Sequence, residues 1–304
     1  MAPIMAPIAA VVPPEPTAAL THSWAMDITR QRSFLHDEAQ FARALARASA
    51  GAIIFALPLL MTMEMWELGF YMDRFRLALF ILVTLPVLFG LSYFAGFEET
   101  FCWQDDLIDA LSAFAVGFLM SAALLTVFAI VRLDQPLPEI IGKIALQSVP
   151  ASIGAMLARK QLGQQDDSDK ERRIRSSYPG ELFLMGAGAL FVGFNVAPTE
   201  EMILISYKMS PWHAVALAVL SLGLLHVFVY TVGFAGQESA GDDGFLSVFL
   251  RFSVAGYGIA LLISLYLLWT FERVAGLSMM ELVTATVVLG FPSALGAATA
   301  RLIV

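Results

Sequence analysis

The chain is short of the residues that usually announce chemistry. It holds one cysteine, Cys102, and only four histidines. A lone cysteine excludes an intramolecular disulfide and any metal site built on paired thiolates. His213 and His226 fall on one expected helix with no carboxylate beside them, which is not the clustering that zinc or di-iron chemistry requires. Charged residues make up only 14% of the chain, against roughly 25% in soluble domains. No basic patch with interleaved aromatics is present, so nucleic acid is excluded as a partner. The lysines within apolar stretches, Lys143 and Lys208, lie near the ends of those stretches, where a long ammonium side chain reaches water by snorkelling. That placement also excludes a retinal Schiff base.

What the sequence has in excess is apolar surface: 58% of residues are hydrophobic and the mean hydropathy is +0.74. Eight apolar stretches, at about 49–72, 75–97, 107–131, 140–160, 181–208, 211–235, 245–271 and 281–303, each approach the ~20 residues a bilayer demands of a helix. The fold class expected is an all-α membrane protein of eight transmembrane helices, with the lipid bilayer as its first partner. Ahead of the spans, residues 1–27 are rich in Pro and Ala and read as a disordered tail; 28–48, with Phe34, Phe41 and Leu45 among arginines, read as a surface amphipathic helix. The polar stretch 161–180 reads as a solvated linker. It separates 49–160 from 181–304.

Orientation follows from the basic residues. Arg30, Arg32, Arg43, Arg47, Arg159, Lys160, Lys170, Arg172, Arg173, Arg175, Arg251 and Arg301 gather on one side; Arg74, Arg76, Arg132, Lys143, Lys208 and Arg273 fall on the other. The positive-inside rule makes the first side, with both termini, cytoplasmic.

The two segments flanking the linker match in order. Phe55, Glu64 and Tyr71 meet Phe191, Glu200 and Tyr207 at one separation; Thr84 and Tyr93 meet Ser221 and Tyr230 at a slightly larger one; Glu139, Pro150, Gly154 and Ala155 meet Glu281, Pro292, Gly296 and Ala297 at a larger one still. Such growth is what small loop insertions produce, so the expectation is two tandem four-helix repeats inserted with the same sense. Gly154, Ala155, Gly296 and Ala297 are expected at close helix crossings.

Carboxylates within apolar stretches mark the candidate site, because a charge at the bilayer centre costs about 2.5 kcal/mol or more. Glu64 and Glu200, with Glu67 and Glu201 beside them, are the expected ion- or proton-coupling residues. At ~1.5 Å per residue, Glu64 and Glu200 come out roughly 12–14 Å deep in continuous spans. Thr84, Ser221, Ser148 and His226 are the expected supporting ligands, with Pro150 and Pro292 breaking nearby helices. The pattern suits an ion- or proton-coupled transporter or channel-like protein whose partner is a small ion or proton. Neither cofactor, metal nor oligomeric state is legible.

Two resemblances accompany this reading. The pair Glu200-Glu201 is similar to the glutamates that open the EExxxR motif of the abortive-infection (CAAX-type) intramembrane proteases, although the arginine position holds Ile205. That implies the alternative of a membrane-embedded hydrolase using Glu200, Glu201 and His226. A non-catalytic assembly factor is the third reading. Over about 40–304, with NVAPTEEM at 195–202, the chain resembles an uncharacterised family of bacterial integral-membrane proteins catalogued only as a domain of unknown function. The resemblance implies an inner-membrane location and no activity.

Overall fold

A computed structural model describes residues 42–95, 103–161, 178–232 and 249–303. The tail at 1–27, most of the 28–48 segment and nearly all of the 161–180 linker lie outside the described residues. The chain divides into Met1–Leu45, of which 42–45 are described, and Ala46–Val304; everything below concerns the second unit.

Among the described residues there are only helices and the turns between them. Eight are long and apolar enough to cross a membrane: Ala42–Leu60, Arg74–Tyr93, Trp103–Val127, Leu137–Ala158, Tyr178–Val196, Pro211–Tyr230, Phe249–Thr270 and Met279–Ala300. Residues 42–48 are the opening turns of the first of these. We number the helices α1 (Ala42–Leu60), α2 (Met63–Tyr71), α3 (Arg74–Ala95), α4 (Trp103–Val127), α5 (Leu137–Gln161), α6 (Tyr178–Val196), α7 (Glu200–Lys208), α8 (Pro211–Val232), α9 (Ala255–Thr270, entered through a π turn at Phe249–Val254) and α10 (Met279–Ile303).

The extra elements are α2 and α7, and they correct the expected spans. The stretches 49–72 and 181–208 are not continuous helices: α1 stops at Leu60 and α6 at Val196, and each is followed by a nine-residue helix. At 1.5 Å per residue such a helix reaches only ~13 Å. Both breaks are held by a threonine in extended conformation. Thr62 (φ −98°, ψ 130°) donates its hydroxyl to the Leu59 carbonyl at 2.7 Å, and Thr199 (φ −72°, ψ 146°) donates to the Val196 carbonyl at 2.8 Å. Each hydroxyl answers a carbonyl that the helix end leaves without a backbone donor. At the second break Pro198 adds a residue with no N–H of its own. By contrast α5 and α10 run unbroken through Pro150 and Pro292.

Close packing is concentrated where side chains are small. A Cβ on Gly51 would lie 2.4 Å from the Gly154 carbonyl oxygen, and one on Gly296 would lie 2.2 Å from the Gly188 carbonyl oxygen. Thus α1 crosses α5, and α6 crosses α10, with backbones in direct contact; Ala155 and Ala297 are buried beside these crossings. Lacking water between them, helices in a bilayer associate through such contacts. The span in α5 is the most enclosed, with 89% of it buried. Aromatic rings join the first four spans to the last four: Phe55 meets Phe191 with centroids 5.1 Å apart, and Phe80 meets Phe194 at 6.0 Å and Phe271 at 5.6 Å.

Both turns leaving α4 and α9 pass through a non-glycine residue in the left-handed region, Ala129 (φ 57°) and Glu272 (φ 61°). The next amide reaches back five residues in each case, Ile130 N to Leu125 O and Arg273 N to Leu268 O, both at 2.9 Å. This is the Schellman way of ending a helix. An L-residue there costs roughly 1–2 kcal/mol, and at Glu272 the turn aims a carboxylate at a neighbouring helix.

Candidate functional site

The polar groups collect at the end of the bundle where α1 and α6 stop, α3 begins and α9 finishes. Asp73 caps α3, its Oδ1 accepting from the amides of Phe75 (3.0 Å) and Arg76 (3.2 Å). Glu272, at the end of α9, accepts the Asp73 amide on Oε1 at 3.3 Å and lies 3.9 Å from Arg76 Nη1. Arg76 also donates to the Trp269 carbonyl at 2.7 Å, with its guanidinium 5.1 Å from the Trp269 ring centroid. These contacts tie the start of α3 to the end of α9. One residue on, Arg273 donates to the Pro198 carbonyl and lies 3.9 Å from Glu200 Oε1. Its side chain is 16% exposed while that of Glu200 is 80% exposed. The carbonyl contact is therefore the stronger anchor, since a water-facing ion pair contributes about 0–1 kcal/mol.

Tyr71, at the end of α2, belongs to the same field. Burial raises its phenol above the ordinary value; Arg273 pulls it down, while Glu67, Glu272 and Glu200 push it up. The negative charges thus come from α2, α7 and the α9 turn together.

Beneath α2 lies a cavity of about 750 Å³. Glu139 and Lys143 form one wall, with Lys143 Nζ 2.5 Å from Glu139 Oε1 and 3.5 Å from the Ile130 carbonyl. The expectation that Lys143 snorkels is overturned, because the residue is 9% exposed and its ammonium is answered inside the protein. Its cause is local: Gly69 of α2 sits on the Lys143 backbone, so close that a Cβ there would come within 2.6 Å of the Lys143 Cα.

The sequence-derived residues separate into three places. Glu64 lies half-buried in the first turn of α2, Glu67 lines the cavity, and Glu200 and Glu201 stand exposed in the first turn of α7. The depth of 12–14 Å for Glu64 and Glu200 is corrected by the two breaks: these carboxylates lie beyond the spans, near the positive ends of short helices, where negative charge is favoured. Thr84, Ser221 and Ser148 are buried, and each hydroxyl donates to a carbonyl of its own helix, Phe80, Leu217 and Ala145, at 2.7–2.8 Å. His226 is buried near the other end of α8, its Nδ1 2.8 Å from Ser253 Oγ. Ser253 opens the eighth span and Arg273 follows its end, so His226 and Glu200 are separated by roughly 25 Å of helix. The hydrolase constellation of Glu200, Glu201 and His226 does not converge.

A family model described as "Putative integral membrane protein (DUF2391)" matches residues 44–304. The chain belongs to this family. No curated protein and no solved structure matches it. The family description names membrane integration and no activity, so for this DUF2391 protein chemistry must be read from the polar end itself. Among the described residues no three His, Cys, Asp or Glu side chains are grouped to hold a metal. Sequence reasoning missed Asp73, Arg76, Glu272 and Arg273 as site residues. Their signal was there as charges at span ends, but such charges read as ordinary interfacial anchors.

Proposed function

We propose that the protein is an ion- or proton-coupled transporter of the inner membrane, built from two tandem four-helix units of the same sense, with both termini cytoplasmic. The positive-inside count supports the sidedness. The tandem reading is supported by equal elements in equal order: α2 and α7 have nine residues each, α3 and α8 have 22, and α5 and α10 have 25. The threonine-held breaks, the positive-φ turns and the glycine crossings recur in the same order. In this register α2 begins at Met63 where α7 begins at Glu200, so Glu64 corresponds to Glu201 and the sequence pairing of Glu64 with Glu200 is off by one.

The observation that carries the transport reading is the charge network joining the units at one end only. Arg76 and Asp73 of the first unit hold Glu272 of the second, and Arg273 beside it holds the α6–α7 break and faces Glu200. In this reading the described conformation is closed at the outer end. Loading Glu272 or Glu200 with a proton or cation removes the partners of Arg76 and Arg273 and lets the units part. A ligand shifts such an equilibrium only through different affinity for the two states, and these carboxylates change partners between them.

The test is flux in liposomes of the purified protein under an imposed pH gradient, with a panel of inorganic ions. Wild-type protein is expected to couple movement of one solute to the gradient, and Glu272→Gln to lose at least about tenfold of that rate, the effect of ~1.4 kcal/mol on the controlling step. Wild-type rates equal to those of empty liposomes across the panel would overturn the proposal.

A further inference from the structure

The transport reading makes no use of the 750 Å³ cavity beneath α2, whose volume is that of a site for a drug-sized molecule. Four aromatic residues, Trp66, Phe70, Tyr71 and Phe128, contribute to its lining, and Met61 and Met63 complete its apolar part. The charged lining residues are Glu67, Glu139 and Lys143. Lys143 and Glu139 answer each other at 2.5 Å, and the Ile130 carbonyl adds to the screening of the ammonium. Glu67 is therefore the uncompensated charge of the lining, and the cavity carries a net charge of about minus one.

We propose that this cavity binds a hydrophobic organic cation. Aromatic faces attract a cation through their quadrupole, and methionine side chains adapt to irregular apolar shapes. Glu67 supplies the countercharge. Beyond Tyr71 the field stays negative, since Glu200 and Glu272 act there against the single guanidinium of Arg273. A lipid acyl chain fits the apolar walls but leaves Glu67 and the ion pair against hydrocarbon, where desolvation is costly. An organic anion meets Glu67 with the wrong sign.

The inference concerns binding at equilibrium and stands without any transport activity. The experiment is equilibrium dialysis of radiolabelled tetraphenylphosphonium against the full-length protein in a neutral detergent, with empty micelles subtracted. Tetraphenylborate, of nearly the same size and opposite charge, is the competitor. Saturable binding of one tetraphenylphosphonium per chain is expected, with borate at least about fivefold weaker as competitor than unlabelled cation. Glu67→Gln should weaken the cation by about fivefold, the scale of one partly exposed charge pair. Glu67 is exposed, so this variant folds, which its elution on size exclusion checks. No saturable binding, equal competition by borate, or unchanged affinity in Glu67→Gln would each overturn the proposal.

Discussion

Gly296→Ala is expected to lower stability by about 2–3 kcal/mol, and Gly296→Leu to abolish the folded protein. The added Cβ would lie 2.2 Å from the Gly188 carbonyl oxygen and 2.8 Å from the Val192 Cβ. Neither is the free end of a flexible side chain, so α6 and α10 must move apart along their length, and overpacking of this kind costs roughly 1–3 kcal/mol or more. Gly154→Ala should behave alike, its Cβ falling 2.6 Å from the Gly51 carbonyl oxygen and 2.5 Å from the Phe55 Cβ. Gly223→Ala and Gly258→Ala are the controls. Nothing lies within 4 Å of either new methyl, and replacing a mid-helix glycine by alanine gains up to about 1 kcal/mol. Denaturant unfolding in detergent measures all four. If Gly296→Ala and Gly223→Ala were equally stable, the direct α6–α10 contact would be refuted.

The second large effect concerns the wall of the cavity. Lys143→Met is expected to cost about 3–5 kcal/mol, because it leaves the Glu139 carboxylate, with its side chain 16% exposed, without its counter-ion. Combining it with Glu139→Met removes the stranded charge and should restore most of the loss, since a well-packed apolar pair can replace a buried ion pair at little cost. A double-mutant cycle read by the same unfolding assay therefore gives a coupling of at least about 2 kcal/mol. Strictly additive single effects would mean that the pair is not formed in the folded protein.

The contrast between these two regions explains what could be read from the sequence. The membrane class and the number of spans were legible because they depend on composition over bilayer-length windows. The glycine crossings were legible for the same reason: Gly154-Ala155 and Gly296-Ala297 are small residues within apolar runs, and small residues in a membrane serve close approach. The breaks were not. Thr62 sits in a segment, MTMEMWELGFY, whose hydropathy continues that of the preceding helix. A hydroxyl bonded to a carbonyl three residues back decides where the helix stops, and hydropathy does not register that bond. At Pro198 the proline was visible, but a proline can either kink a helix or end it, and Thr199 decided the matter. Once the breaks move Glu64 and Glu200 out of the spans, depth counted from the ends of longer helices has no meaning.

Lys143 failed for a different reason. Its position near a helix end suggested an escape to water, and its spacing of four from Glu139 suggested a pair; the packing of Gly69 onto its backbone closed the first route. The cluster of Asp73, Arg76, Glu272 and Arg273 was the least legible part. It forms between residues about two hundred positions apart, and a single sequence carries no sign that the start of α3 meets the end of α9.

The central claim is that the contact between Asp73 and Glu272 must open for the protein to work. Cys102 is the only native cysteine, so a Cys102→Ser background carrying Asp73→Cys and Glu272→Cys presents one thiol pair at the place where the Asp73 amide and the Glu272 carboxylate stand 3.3 Å apart. Flux in liposomes is measured before and after treatment with a short bis-methanethiosulfonate reagent, and again after reduction. The account predicts rapid cross-linking, loss of flux on cross-linking and its return on reduction. Flux that persists unchanged in fully cross-linked protein would contradict it.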